Sequence, residues 1–427
     1  MADPATEIDV DLEVQEVLLA ASQHDIPKLR RLLRSNDAAT NPANVKDPET
    51  GASPLHAAIA ACEPEEEELK TNGAPNGVQS NGEEEHTSEQ QATLKSAVQT
   101  VKLLLQEGAI WNDLDLNDET PGCIAKRLGL DELYEMVVDA GVRAELLLNR
   151  LDGYEELSDE EMGDDEEQEQ QESADASASN TAEEESAPQL VESTTAATDT
   201  AQSGEAEPNV TSSRYLSSDL SFQQDRLLDQ DQNGVMMAWE SDIMAKSAKK
   251  LLPTPGLRVL NVGHGMGIVD GFFQEQSPAS HHIIEAHPDV VAEMKRKGWH
   301  EKPGVHIHEG RWQDILPELM TQGEMFDAIY YDTFAESYAD FRDFFTEQVI
   351  GILEQEGKWG FFNGMGADRQ ISYDVYQKVV EMDLFEAGFD IEWEEIAVPK
   401  LEGEWNGVRR PYWSIDKYRL PLCKYMD

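Results

Sequence analysis

The residues best placed to do chemistry begin in the stretch VLNVGHGMGI at 259–268, where Gly263, Gly265 and Gly267 alternate behind an apolar run. The run has the length of a buried strand, and helical spacing resumes after it. A glycine-rich turn between strand and helix lets the backbone approach a ligand, because a side chain there would occupy the ligand's volume. The dinucleotide fingerprint G-x-G-x-x-G would require a glycine at Ile268, so a ligand without a pyrophosphate is expected. Glu285 stands 22 residues after Gly263, at the tip of a second apolar segment. A carboxylate there can accept both hydroxyls of a ribose. Trp312 and its neighbour Gln313 follow a third segment, where an indole can cover an adenine face and an amide can meet the base edge. Asp332 closes a fourth, at the carboxyl edge where open α/β sheets bind ligands.

These residues need a sheet to hold them. Strands are predicted at 257–262, 281–286, 305–309, 326–332 and 357–363, with helices at 239–251, 268–274, 290–297, 315–322, 340–352 and 374–387. A last pair, 389–398 and 412–422, follows without the same alternation. The pattern reads as a mostly parallel α/β sheet with an antiparallel finish.

Residues 1–152 read differently. The stretches TGASPLHAAIAA at 50–61 and VQTVKLLLQEGAIWNDLDLNDETPGCIAKRLGL at 98–130 each resemble an ankyrin repeat, the second a degenerate one. Pro54 and Pro121 lie 67 residues apart, one repeat of roughly 33 residues plus a polar, acidic insertion at about 63–95. His56 is expected to hydrogen-bond within its turn, and Gly108 to take a left-handed cap. Flanking helices are predicted at 14–22, 27–34 and 132–140. The resemblance implies a small all-α unit that contacts other proteins. Residues 153–210 carry almost no large apolar side chains and are expected to be a disordered acidic linker, leaving 211–427 as a separate α/β unit.

The net charge is −53, and the linker alone holds 19 acids and no base. Such a chain repels phosphate, so neither nucleic acid nor an anionic membrane is an expected partner, and a basic protein is. Cys62, Cys123 and Cys423 show no paired spacing and are expected to be reduced thiols, as in the cytoplasm or nucleus. The acidic beginning has no apolar core of a signal peptide, and no run of about 18 apolar residues is present. His281, His282, His287, His306 and His308 cluster in sequence but lack metal-site spacing, so no metal is expected.

The words VMMAWE (235–240), VLNVGHGMGI, EAHPDV (285–290) and FDAIYYDTF (326–334), in that order, resemble the guanidinoacetate methyltransferase group of class I S-adenosylmethionine-dependent methyltransferases. The ankyrin-like beginning narrows the likeness to the branch that methylates arginine in proteins, at the internal δ-nitrogen. The resemblance implies a Rossmann-like fold and S-adenosyl-L-methionine as cofactor. It implies Tyr215 and Met244 as cofactor contacts from an N-terminal lid. His264, Gly265, Met266, Gly267, Ile268 and Val269 follow from the glycine turn, then Glu285, Ala286, His287, Trp312, Gln313 and Asp332. The chain departs from the general pattern at Asn261, where an acid usually stands, and at His264, where another aromatic is commoner; the His264 ring is expected to pack flat on the ligand.

Methyl transfer needs a neutral nitrogen lone pair, yet a guanidinium has a pKa above about 12. Carboxylates can grip its planar fork, fix its direction and accept the released proton. Glu240 opens the 239–251 helix and Asp332 ends the fourth strand; the resemblance places the equivalents of both on the guanidino substrate. Glu336 is a third choice, expected to face solvent. The two-glutamate loop of commoner protein arginine methyltransferases is missing after the fourth strand. A monomer acting on arginine-rich, ribosomal-type proteins is expected. A small-molecule guanidino methyltransferase and a non-catalytic ankyrin scaffold stay open as alternatives.

Overall fold

The computed structural model describes residues 12–34, 41–63, 82–151 and 210–426. The predicted linker 153–210 therefore lies outside the described residues apart from its last position, as does most of the predicted insertion.

The N-terminal unit is built from the helices Leu12–Ser22, Ile26–Leu33, Pro54–Ala60, Gly82–Gln106, Pro121–Arg127 and Asp131–Leu151. Its two short helices start alike. Ser53 and Thr120 each cap a helix whose first residue is proline, which has no N–H to leave unpaired. His56 does more than close its own turn: Nδ1 accepts from the Ser53 amide at 3.1 Å, and Nε2 donates to the Glu119 carbonyl at 3.0 Å. It thus ties the first turn to the second. Gly108 takes the expected left-handed conformation, with φ 85°.

The helix predicted to end at 140 runs on to Leu151. Gly141 interrupts the helical pattern in the sequence, but here it permits a close contact. A Cβ at that position would lie 2.7 Å from Val375 Cγ2 and 2.9 Å from Trp111. The Gln370–Glu386 helix of the C-terminal unit packs at this point. Its Ile371, Val375 and Val379 share one core with Leu29, Leu55 and Val137 of the N-terminal unit. Tyr134 also donates to Asp374 across this boundary at 2.6 Å. The two units are joined by an apolar seam.

The C-terminal unit opens with a small antiparallel sheet that the sequence pattern did not reveal: β1 Ser221–Phe222, β2 Arg226–Leu228 and β3 Gly234–Met237. The main sheet follows as β4 Arg258–Val262, β5 Ser280–Glu285, β6 Val305–Glu309, β7 Phe326–Tyr331, β8 Leu353–Phe361, β9 Phe389–Ala397 and β10 Lys417–Tyr425. Its order is β6-β5-β4-β7-β8-β10-β9. β10 is antiparallel to β8 and β9, and the pairs from β6 to β8 are parallel. This is the expected Rossmann-like arrangement with an antiparallel finish. The order reverses at β4, so a crevice opens beyond its carboxyl end, between β4 and β7.

The last strand begins later than predicted, at Lys417 instead of 412. Tyr412 and Trp413 look strand-like because they are large and apolar. Their burial comes from side-chain packing against Trp239 and Tyr373, with no place in the ladder.

Candidate active site

The glycine turn sits at the carboxyl end of β4, and all three glycines are left-handed, with φ 94° at Gly263, 54° at Gly265 and 80° at Gly267. A Cβ on Gly263 would fall 1.9 Å from the Asp332 carbonyl oxygen, and one on Gly265 2.7 Å from Met236 Cε. On Gly267 it would meet the His264 ring at 2.7 Å. The glycines are thus required by protein neighbours and backbone conformation, whatever space a ligand takes beside them.

The turn borders a cleft. Tyr215, Gly263, Gly265, Glu285, Ala286, Trp312 and Asp332 line it, as expected. Met236, Arg311, Phe334 and Glu336 line it too, and sequence reasoning had not placed them there. Glu285 is nearly enclosed and holds the surrounding backbone. Its Oε2 accepts from the His264 and Gly265 amides at 2.8 and 3.3 Å, and Oε1 from the His287 amide at 2.7 Å. A carboxylate oxygen has a second lone pair, so a ribose can still be accepted.

Several predicted contacts lie behind the cleft wall. Met244, Ile268 and Val269 pack in the core under β4. The Met266 amide points to Met236 Sδ at 3.2 Å, so Met236 takes the lining position expected of Met244. The His287 ring caps the Pro288–Arg296 helix through Nδ1, and Nε2 donates to the Tyr215 carbonyl at 3.0 Å, which fixes its tautomer. Gln313 turns to Glu336 at 3.5 Å and leaves its Oε1 buried without a partner.

His264 is the clearest correction. Its ring is buried and turned inward, with Nδ1 donating to Asp270 at 2.6 Å and an edge contact to Trp299. His281 Nε2 reaches the other oxygen of Asp270 at 2.8 Å, and Asn261 donates to both at 2.9 Å. Burial would raise the Asp270 carboxyl, but the two histidines overcome it and hold it down to about 2. Asn261 likewise serves this network and the Gly263 carbonyl, at 2.8 Å, instead of the ligand.

Glu336 was expected in solvent and instead faces the cleft. Ala335 has φ 61°, a left-handed reversal that turns the chain back. Glu336 then accepts from Trp312 Nε1 at 3.0 Å and from the Tyr331 hydroxyl.

Asp332, which lines the cleft, and Glu240, which is outside the lining but is reached by the Asp332 charge, make up an acidic floor. Asp332 is half-buried, with Oδ2 closed off and unpartnered. Burial, then the charges of Asp270 and Glu285, push its carboxyl up to about 7. Glu240 is 3% exposed and ends the turn Ala238–Glu240, directly before the Ser241–Leu251 helix. Burial first, and then the Asp332 charge, raise it well above the usual carboxylate range. The Asp332 charge is thus near enough to oppose ionisation of Glu240. Such a floor fits a cation, and the aromatic and apolar wall of Trp312, Phe334 and Ile284 fits a nucleoside. A sulfonium-bearing nucleoside combines the two.

The histidine cluster has another character. His282 is pushed down to about 3 by burial and by His308 and His306, and His308 Nε2 lies 3.1 Å from its Nδ1. Among the described residues no group of three or more His, Cys, Asp or Glu is arranged to hold a metal ion. No helix among them is long and apolar enough to cross a membrane.

The guanidinoacetate N-methyltransferase family model matches residues 211–402. A protein from Emericella nidulans named protein arginine N-methyltransferase 2 is 82% identical over the whole of both chains. One of the same name from Aspergillus oryzae is 75% identical, again over the whole of both. A third, from Neurospora crassa, is 48% identical over 98% of this chain and 97% of its own.

Proposed function

The chain belongs to the protein arginine N-methyltransferase 2 family, and from that premise we propose that it methylates the δ-nitrogen of arginine in proteins, with S-adenosyl-L-methionine as cofactor. The observation that carries this reading is the pair Glu240 and Asp332, a buried acid and a cleft-lining acid whose charge reaches it, beside a cleft walled by Trp312 and Phe334.

The cofactor, when bound, supplies an electrophilic methyl group on a sulfonium. Tyr215, Glu285, Ala286 and Trp312 would hold its nucleoside, with the glycine turn against it. Glu240 and Asp332 orient the arginine side chain so that its nitrogen faces the methyl carbon in line. With that methyl group supplied, the nitrogen held by these two acids would gain it and give up a proton. The nitrogen's proton passes to a carboxylate. A carboxyl raised to about 7 is a far better acceptor than an ordinary one, which supports Asp332 as the base. Glu240 is raised in the same direction, and it supplies the second point of grip.

The helical N-terminal unit fits a protein substrate better than a metabolite. We read its repeated Ser/Thr-Pro turns as ankyrin-type and its role as docking of basic proteins. The reading extends to a monomer in the cytoplasm and nucleus. Incubation with methyl-labelled cofactor and a cell extract, then hydrolysis and separation of the methylarginines, tests it. Label in δ-methylarginine is expected. Label only in a small guanidino compound would favour the metabolite enzyme, and no label at all the scaffold.

A further inference from the structure

Glu240 has a partner from the far end of the chain. The Tyr412 hydroxyl donates to Glu240 Oε1, and the Met237 amide donates to the same oxygen at 3.4 Å. Among the described residues no hydrogen bond to Oε2 is found. One oxygen of the carboxylate is therefore held by the protein, and the other is left to a ligand.

We propose that Tyr412 is the positioning residue that presents Glu240 to the substrate guanidinium, an inference that rests on the arginine-methylating reading above. The ring itself is held on several sides. Trp405 meets it edge-on at 4.9 Å, and Trp239 lies 6.2 Å away. Gly234 makes room beneath it, since a Cβ there would lie 3.0 Å from Tyr412 Cε1. The loop that carries Tyr412, between β9 and β10, is tied to the small sheet. The Arg409 amide donates to the Gln232 carbonyl at 2.8 Å, and Arg226 Nη1 donates to the Asn406 carbonyl at 2.8 Å. The small sheet thus carries Met237 and Gly234 and braces the loop that supplies the phenol.

A hydroxyl suits this post in both protonation states of its partner. It donates to an ionised Glu240 and can accept from a protonated one. Glu240 can therefore change its proton without losing its orientation. The guanidinium then meets one oxygen of Glu240 and the carboxylate of Asp332. The groups facing Glu240 are Asp332, Tyr412, Tyr330, Tyr418 and the Met237 amide. Of the hydrogen bonds, the one from Tyr412 is the stronger force holding its carboxyl down.

Tyr412→Phe removes the hydroxyl and keeps the ring in its packing. In the full-length protein, with an arginine-containing protein as substrate, we expect kcat to fall roughly 10–100-fold, the loss of one hydrogen bond to a charged group. Cofactor affinity by calorimetry should stay unchanged. The acid limb of the pH–rate profile should move to higher pH, because Glu240 loses the bond that favours its ionised form. In a Glu240→Gln background, Tyr412→Phe should add little. An unchanged kcat and acid limb in Tyr412→Phe would overturn the inference, as would a full, additive loss in the double variant. If Tyr412→Phe binds no cofactor, the hydroxyl serves the fold as a whole and the assignment is wrong. Wild-type protein that labels no arginine would instead sink the underlying functional reading.

Discussion

Asp332→Asn should make the ligand-free protein more stable and nearly inactive at once. The native Asp332 carboxyl keeps its proton up to about 7, whereas an unfolded chain releases it near the ordinary value of 3.8. Below the unfolded value both states are protonated, and the acid costs nothing relative to an amide. As pH rises from about 4 to about 7, only the unfolded state gives up its proton, and stability falls by about 1.4 kcal/mol per unit. The full difference is about 4 kcal/mol, an upper bound. The side chain borders a solvent-filled cleft, and screening reduces the expected gain at pH 8 to about 1–2 kcal/mol. For a domain of this size that is a rise in Tm of roughly 3–6 °C. The assay is thermal unfolding of both proteins at pH 4 and pH 8, beside methyl transfer at pH 8. Transfer should fall on the order of 10²-fold or more, with cofactor affinity measured in parallel because Asp332 also lines the cofactor cleft. Equal Tm values at pH 8, or the same gain at pH 4, would refute the claim of an unpaired acid held up to about 7 in the native state.

Glu240→Gln should lose transfer on the same scale with cofactor binding intact; wild-type rates would end the two-carboxylate scheme, with Glu336 next to test. Glu285→Ala removes the acceptor of three backbone amides, and we expect cofactor affinity to drop by about 1.5–3 kcal/mol in calorimetry, an unchanged affinity removing it from the site. Gly141→Val forces a side chain into Val375 and Trp111, and should cost about 1–3 kcal/mol and speed amide exchange along both the Asp131–Leu151 and Gln370–Glu386 helices. Exchange unchanged on the Gln370–Glu386 helix would mean that the seam between the units is looser than drawn.

Much of the sheet was legible because its strands are short apolar runs with helical spacing between them, and a strand end is where Glu285 and Asp332 had to fall. What escaped depends on how loops travel. Glu336 looked like a surface acid because nothing local reveals that Ala335 reverses the chain toward Trp312 and Tyr331. Tyr412 looked like a strand residue, and its partner Glu240 is 172 positions away. A signal did exist for His264. A carboxylate six residues later, Asp270, and a second histidine on the next strand offered its ring an inward partner.

Two aspartates near the cleft, Asp270 and Asp332, lie close enough that the charge of the first raises the second, and they differ in their partners. Asp270 has a full set of partners from the chain itself, His264, His281 and Asn261, and is held ionised at about 2. It braces the turn and wants nothing more. Asp332 has an oxygen with no partner and is pushed to about 7, partly by Asp270 and Glu285. Burial is common to both, so burial alone does not identify a working acid. The missing partner does, because an enclosed carboxylate without a donor is a standing cost that only a ligand can relieve. On the proposed reading two cations arrive at this floor, a sulfonium and a guanidinium, and each favours the ionised acids that the empty cleft disfavours. Binding of the first should therefore release protons from the floor and ready it for the second. The cost of keeping Asp332 and Glu240 unsatisfied is thereby returned as affinity for the positively charged pair whose reaction they serve.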